Sequence, residues 1–137
     1  TVRSPKSIRY VGRLGRRTPL HCTSTGKVQL AFMNPGRRQV ILSQPLVAYT
    51  QNTVADPVAL RITLAEICDQ GYAIADEEFE EGLVAIAAPL WDHRAEVIAA
   101  LSISGPTYRM DTSTIQDYID PLKEAAGNIS RLLGYIE

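Results

Sequence analysis

The chain has 137 residues, 45% of them apolar and 21% charged, with a formal net charge of −1. This is the composition of one soluble globular domain. Near-neutrality leaves no bulk field for nucleic acid or a membrane surface, and no apolar run is long enough to span a bilayer.

The first seventeen residues are locally basic, with Arg3, Lys6, Arg9, Arg13, Arg16 and Arg17 and no acid between them. Ile8, Tyr10, Val11 and Leu14 predict a strand around 8–14. Its cations suit an edge strand guarded against aggregation. A nucleic-acid arm is the other reading, but no aromatic platform or recognition helix follows. Cys22 and Cys68 are too few for a disulfide framework and read as reduced thiols of a cytosolic protein.

Pro19 ends the first strand. Thr23, Ser24 or Thr25 can cap a helix running to about Met33. A helix start presents free N–H groups and partial positive charge, which suit carboxylates and phosphates. The plainer role of these hydroxyls is to cap their own helix. Gly26-Lys27 lacks the glycine spacing of a phosphate loop. Asn34-Pro35 and Asp56-Pro57 each pair a cap with proline at the first helical position, predicting helices over 35–43 and 57–70. Leu60, Leu64, Ile67 and Cys68 form the inward face of the second, and Gly71 ends it. Tyr72–Ala75 reads as a short strand and Asp76–Glu81 as an acidic loop, solvated unless it binds a cation or serves acid–base chemistry.

Two long apolar runs follow, LVAIAAPLW (83–91) and VIAALSIS (97–104), joined by Asp92–Glu96. They predict a hairpin of buried strands. With a loop at Asp92–Ala95, Trp91 faces Glu96, Ala87 faces Ala100, and Ala85 faces Ser102. One face then carries Ala85, Ala87, Ala100, Ser102 and Ser104. The other carries Val84, Ile86, Leu90, Val97, Leu101 and Ile103. The second is ordinary core. The small, serine-bearing face suits either the floor of a ligand cavity or close packing of a helix. Ile115, Tyr118, Ile119, Leu122, Ala126, Ile129 and Leu133 then mark a helix over 112–133, kinked at Pro121 or restarted there with Asp120 as cap. The order predicts an α+β domain with helices packed on an antiparallel sheet.

The motifs of catalysis are missing. There is no CxxC, HExxH, dinucleotide or Walker pattern. His21 beside Cys22 invites a thiol nucleophile, but adjacent residues rarely aim at one another. Composition and spacing stop at an α+β ligand-binding domain. The alternative is a small enzyme using Cys22 with His21, or the Asp76–Glu81 acids.

Three ordered stretches, GRRTPLHCTSTGK (15–27), GYAIADEEFEEGLVAIAAPLWD (71–92) and VIAALSISGP (97–106), resemble the effector-binding domain of IclR-type transcriptional regulators. The resemblance covers about residues 1–136, including a last helix ending in LGY. It implies a GAF- or profilin-like fold and a non-enzymatic sensor of a small carboxylate effector, an aliphatic or aromatic acid. The implied contacts are Ser24, Thr25, Gly26, Asp76, Ala85, Ile86, Ser102 and Ser104, with no metal, no cofactor and no membrane. DNA would be met only through a winged helix-turn-helix domain that is absent here, and the regulator would be a homodimer or tetramer. Three positions depart from the pattern: Ala75 in place of an aspartate, Ala85 in place of a frequent cysteine, and Trp91 in place of Phe or Tyr. The first two remove polar groups and enlarge the pocket, favouring aromatic or longer acids over two- and three-carbon ones. The resemblance also places the family's first helix and first two strands before Thr1. An apolar strand such as Val97–Ser104 is normally flanked on both sides. It is therefore expected to pair with another copy, another polypeptide, or residues that precede this chain.

Overall fold

A capping side chain opens each of the first three helices in the computed structural model, which describes residues 18–136. The strand expected at 8–14 and the basic segment 1–17 lie outside the described residues. Thr23 caps α1, Ser24–Phe32, its Oγ1 accepting from the Gly26 N–H. Asn34 caps α2, Pro35–Leu42, accepting from the Gly36 and Arg37 N–H groups. Asp56 caps α3, Pro57–Gln70, which stops at Gly71 with φ 83°. That left-handed conformation is costly for any residue with a Cβ.

The sheet is antiparallel in the order β1-β2-β3, from Ala73–Asp76, Leu83–Trp91 and Val97–Pro106. Asp76 thus ends a strand rather than opening a loop. The hairpin register is corrected by two residues: Ala85 pairs with Ser104, Ala87 with Ser102, and Pro89 with Ala100. Half of the shift comes from the connection. The buried Asp92 carboxylate gathers the Arg94 and Glu96 N–H groups at 2.9 and 3.2 Å, so the loop spans Asp92–Glu96 and Trp91 pairs with Val97. The other half comes from an irregularity at Leu90/Trp91, beyond which Leu90 pairs with Ala99. An even shift keeps the faces that an odd one would exchange. Val97 alone moves, leaving the large-residue face to pair with Trp91.

Helices cover both faces of the sheet. Against the small face, Ala73 and Ala87 pack under Val28, Leu30 and Ala31 of α1, which rest on Leu60, Leu64 and Ile67 of α3. On the other face, Val84, Ile86 and Ala88 meet Ile119, Leu122 and Ala126 of α4, Gln116–Leu132. Cys68, expected inward, is exposed, its thiol against the Ala31 carbonyl at 3.1 Å. Ile67 takes the inward position, and the next residue is turned about 100° round the helix. α4 starts later than expected because Asp111 Oδ1 first accepts from the Ser113 and Thr114 N–H groups, making a turn. The helix then runs through Pro121 as one element and does not restart at Asp120. Among the described residues, no helix is long and apolar enough to cross a membrane. β3 lies at the edge of the described sheet, and none of its residues is fully buried.

Candidate functional site

Only the Ala73 and Ala87 part of the small face is closed by α1. Beyond it, a cavity of about 170 Å³ lies between the start of α1 and the sheet. Its floor is Ala75 of β1, Ala85 of β2, and Ser102 and Ser104 of β3. Thr23, Ser24 and Thr25 lie over it, with Thr18 and Cys22 before them and Leu83, Phe79 and Glu80 completing the wall. Helix packing and cavity floor therefore share one face, divided along the strands.

The start of α1 is held from within. Thr23 Oγ1 donates to the Pro19 carbonyl at 2.7 Å and accepts from Gly26, and the Thr23 carbonyl accepts from the Lys27 N–H. The cap therefore uses the Gly26 amide. Ser24 and Thr25 contribute N–H groups that an α-helix leaves without an intrahelical partner. No acid stands in the first turn to offset the partial positive charge there. Gly26 packs hard on the preceding turn, where a Cβ would lie 2.5 Å from the Leu20 Cα and carbonyl oxygen.

Lys27, one residue on, is almost fully buried. Its Nζ donates to the Ile74 carbonyl and to both carboxylate oxygens of Glu78, at 3.0 and 2.8 Å. Burial pushes the Cys22 thiol up from 9.0 to about 11; the Glu78 carboxylate adds to this and Lys27 partly offsets it. A thiol so held is not a nucleophile at neutral pH. The neighbouring His21 directs its Nε2 to the Val47 carbonyl oxygen at 2.8 Å. The acids of 76–81 also serve structure: Glu77 accepts the Gly82 N–H, and Glu78 holds Lys27. The thiol and these two glutamates are thus engaged in holding the fold. Among the described residues, no cluster of His, Cys, Asp or Glu could hold a metal ion.

Of the residues expected to contact an effector, Ser24, Thr25, Ala85, Ser102 and Ser104 come together around the cavity. Three do not. Gly26 lies behind the cap. Asp76 sits at the exposed end of β1. Ile86 is fully buried on the opposite face beneath α4, since consecutive strand residues point opposite ways. Sequence reasoning missed Thr18, Thr23, Phe79 and Leu83 as lining, placed Glu80 only in a solvated or acid–base loop, and did not place Cys22 at the cavity, while Ala75 was read as enlarging the pocket. Two signals were readable. Ala75 pairs with Ala85 in a short strand whose small residues match the hairpin's, and Phe79 is a lone aromatic among acids.

Comparison with known proteins places the fold. Residues 1–131 match the family described as bacterial transcriptional regulator IclR, C-terminal. The HTH-type transcriptional regulator XynR of Escherichia coli K12 is 39% identical over 124 residues, 90% of this chain and 49% of its own. The chain spans about half the length of the curated relatives it matches. The crystal structure of the C-terminal domain of E. coli KdgR has a TM-score of 0.81 at 41% identity, covering 88% of this chain and 74% of that one. The inducer-binding domain of PobR from Acinetobacter was solved as a double mutant with 3-hydroxybenzoic acid. It has a TM-score of 0.78 at 30% identity, covering 91% and 74%. These relatives are transcription factors, not enzymes. With a match over nearly its whole length and the same α+β fold, the chain belongs to the IclR family of bacterial transcriptional regulators, in the part that forms their C-terminal domain.

Proposed function

We propose that this domain senses a small organic acid in the cavity beneath α1, and that the acid modulates operator binding by a winged helix-turn-helix domain of the intact regulator. Homodimeric or tetrameric assembly, which brings two such domains to one operator, belongs to the same reading. One observation carries it: the N-terminus of α1 stands over a floor of two alanines and two serines. The carboxylate meets the N–H groups and hydroxyls of Ser24 and Thr25, where peptide dipoles favour negative charge. Its carbon skeleton lies on Ala75, Ala85 and Leu83, and Ser102 and Ser104 offer hydroxyls to a second polar group. An apolar cavity of about 150 Å³ is known to take benzene, so about 170 Å³ suits a single-ring or short-chain acid. The 3-hydroxybenzoic acid held by the PobR domain is of that class.

Thermal-shift titration against hydroxybenzoates, short aliphatic acids and the matching primary amides tests the reading. A ligand at a hundred times its dissociation constant adds about 2.7 kcal/mol of stability. Acids are expected to raise the melting temperature and their amides to do so far less. If no acid shifts it, or amides match their acids, the reading is wrong.

A further inference from the structure

The loop that carries Phe79 and Glu80 to the cavity is held by residues that do not line it. Three consecutive carbonyls accept hydrogen bonds from the segment joining α2 to α3. Asn52 Nδ2 donates to Asp76 at 3.2 Å, Thr50 Oγ1 to Glu77 at 2.6 Å, and Thr53 Oγ1 to Glu78 at 2.6 Å. Thr53 Oγ1 also accepts the Tyr49 and Thr50 N–H groups at 3.0 and 2.9 Å, so one hydroxyl both shapes the segment and spends its single proton on the loop. The Tyr49 ring meets Phe79 edge-on at 5.1 Å. From the other side, buried Lys27 of α1 grips the Glu78 carboxylate. Glu78 is thus fixed at its backbone from one element and at its side chain from another, directly before Phe79.

We propose that Thr53 and Lys27 are positioning residues that set which acid the cavity accepts, by clamping Glu78 and thereby fixing the Phe79 wall. The inference rests on the cavity being the effector site. A buried ion pair is seldom the most stabilising use of its positions, whereas it does fix geometry. Releasing either grip lets the wall retreat, so the cavity admits bulkier acids and holds the best-fitting one less well.

The test uses Thr53→Val, which keeps the shape and loses the hydroxyl, with Thr53→Ser as the conservative rescue. Lys27→Met/Glu78→Gln removes both charges together, since Lys27→Met alone strands a buried carboxylate and risks misfolding. Each variant is titrated with a series of ring-substituted benzoates of increasing bulk, and amide hydrogen exchange is followed over residues 77–83. Thr53→Val is expected to weaken the best wild-type ligand about tenfold, move the preferred acid toward larger substituents, and speed exchange at 77–83 as well as at the Tyr49 and Thr50 amides that the hydroxyl holds. Thr53→Ser is expected to restore all three. A change in melting temperature with the same rank order of acids would mean a merely structural role and overturn the inference. Unchanged affinity in a folded variant would also overturn it. If the wild type binds no acid, the effector reading fails and takes this one with it. If the wild type binds and the variants keep its ligand profile, this inference alone fails.

Discussion

Ala85 stands directly across the β2–β3 ladder from Ser104. The pair forms the open half of the sheet face, while Ala87 and Ser102, the next pair on that face, lead into the part closed by α1. The floor of the cavity is therefore set by residues that have little bulk of their own, and a larger side chain there replaces the cavity.

Ser104→Leu is expected to abolish the ligand-induced thermal shift. Ser104 is exposed, so the unliganded protein should change by no more than about 0.5 kcal/mol. Ile103→Val, the neighbouring residue on the opposite face, should do the reverse: lose about 1 kcal/mol in urea denaturation and keep the ligand shift. The pair of results separates cavity from core on one strand.

Gly26→Ala is expected to be severe. The new Cβ meets backbone atoms at 2.5 Å, which cannot swing aside. Overpacking of this kind costs about 3 kcal/mol, readable as a lower urea midpoint at unchanged slope. Thr23→Ala removes the cap and the hydrogen bond to the Pro19 carbonyl and should cost about 1–2 kcal/mol, with Thr23→Ser close to wild type.

The Cys22 thiol, held up at about 11 against an ordinary 9.0, makes stability depend on alkaline pH. Below pH 9 the thiol is protonated in folded and unfolded chains alike, and it contributes no pH dependence. Between pH 9 and 11 the unfolded chain loses the proton that the folded one keeps, so stability falls as pH rises. Melting temperatures of wild type and Cys22→Ala compared across that window should show the extra fall in the wild type only. Iodoacetamide at pH 8 should modify one thiol per native chain, exposed Cys68, and two after unfolding.

Asp111 shows the opposite sign. Hydrogen bonds from the Ser113 hydroxyl and the Thr114 amide, ahead of smaller contributions, hold its carboxyl at about 2 against an ordinary 3.8. The stabilisation is present above pH 3.8 and is lost as pH falls toward 2. Amides of residues 113–117 should lose exchange protection over that range. In Asp111→Asn, which cannot titrate, protection there should be independent of pH.

The helices were legible wherever a local group closes them. Asn34-Pro35, Asp56-Pro57 and Gly71 act on their own neighbours, and the helices lie within a residue of the sequence bounds. The two faces of the hairpin were legible for a different reason: side-chain alternation survives an even error in register. The error itself was not legible, because it depends on Asp92 folding its carboxylate into the loop and on an irregularity at Leu90/Trp91, beside that loop. About half of the cavity lining could be read, the part on regular elements. Much of the rest lies off the regular elements, and Phe79 and Glu80 follow Glu78, which is held by Thr53 and Lys27, up to 51 residues away in sequence. The acids at 76–81 read as solvated because charge patterning carries no record of a buried lysine on another element.

Trp91 is the only tryptophan in the chain. Its ring stacks on Tyr135 at 5.6 Å and meets Phe32 edge-on at 5.0 Å. Phe32 is the last residue of α1 and Ser24, over the cavity, is the first, about 12 Å apart along the axis. The protein therefore carries an intrinsic fluorophore at the far end of the helix whose start faces the cavity. An aliphatic acid, which neither absorbs nor quenches in this range, cannot reach the indole from the cavity. Trp91 also lines a separate pocket with Phe32, Tyr135 and Lys123, so a change in emission on adding such an acid, if Ser104→Leu abolishes it, would record a displacement transmitted along α1 or β2. Its absence would show that binding is absorbed locally around the cavity.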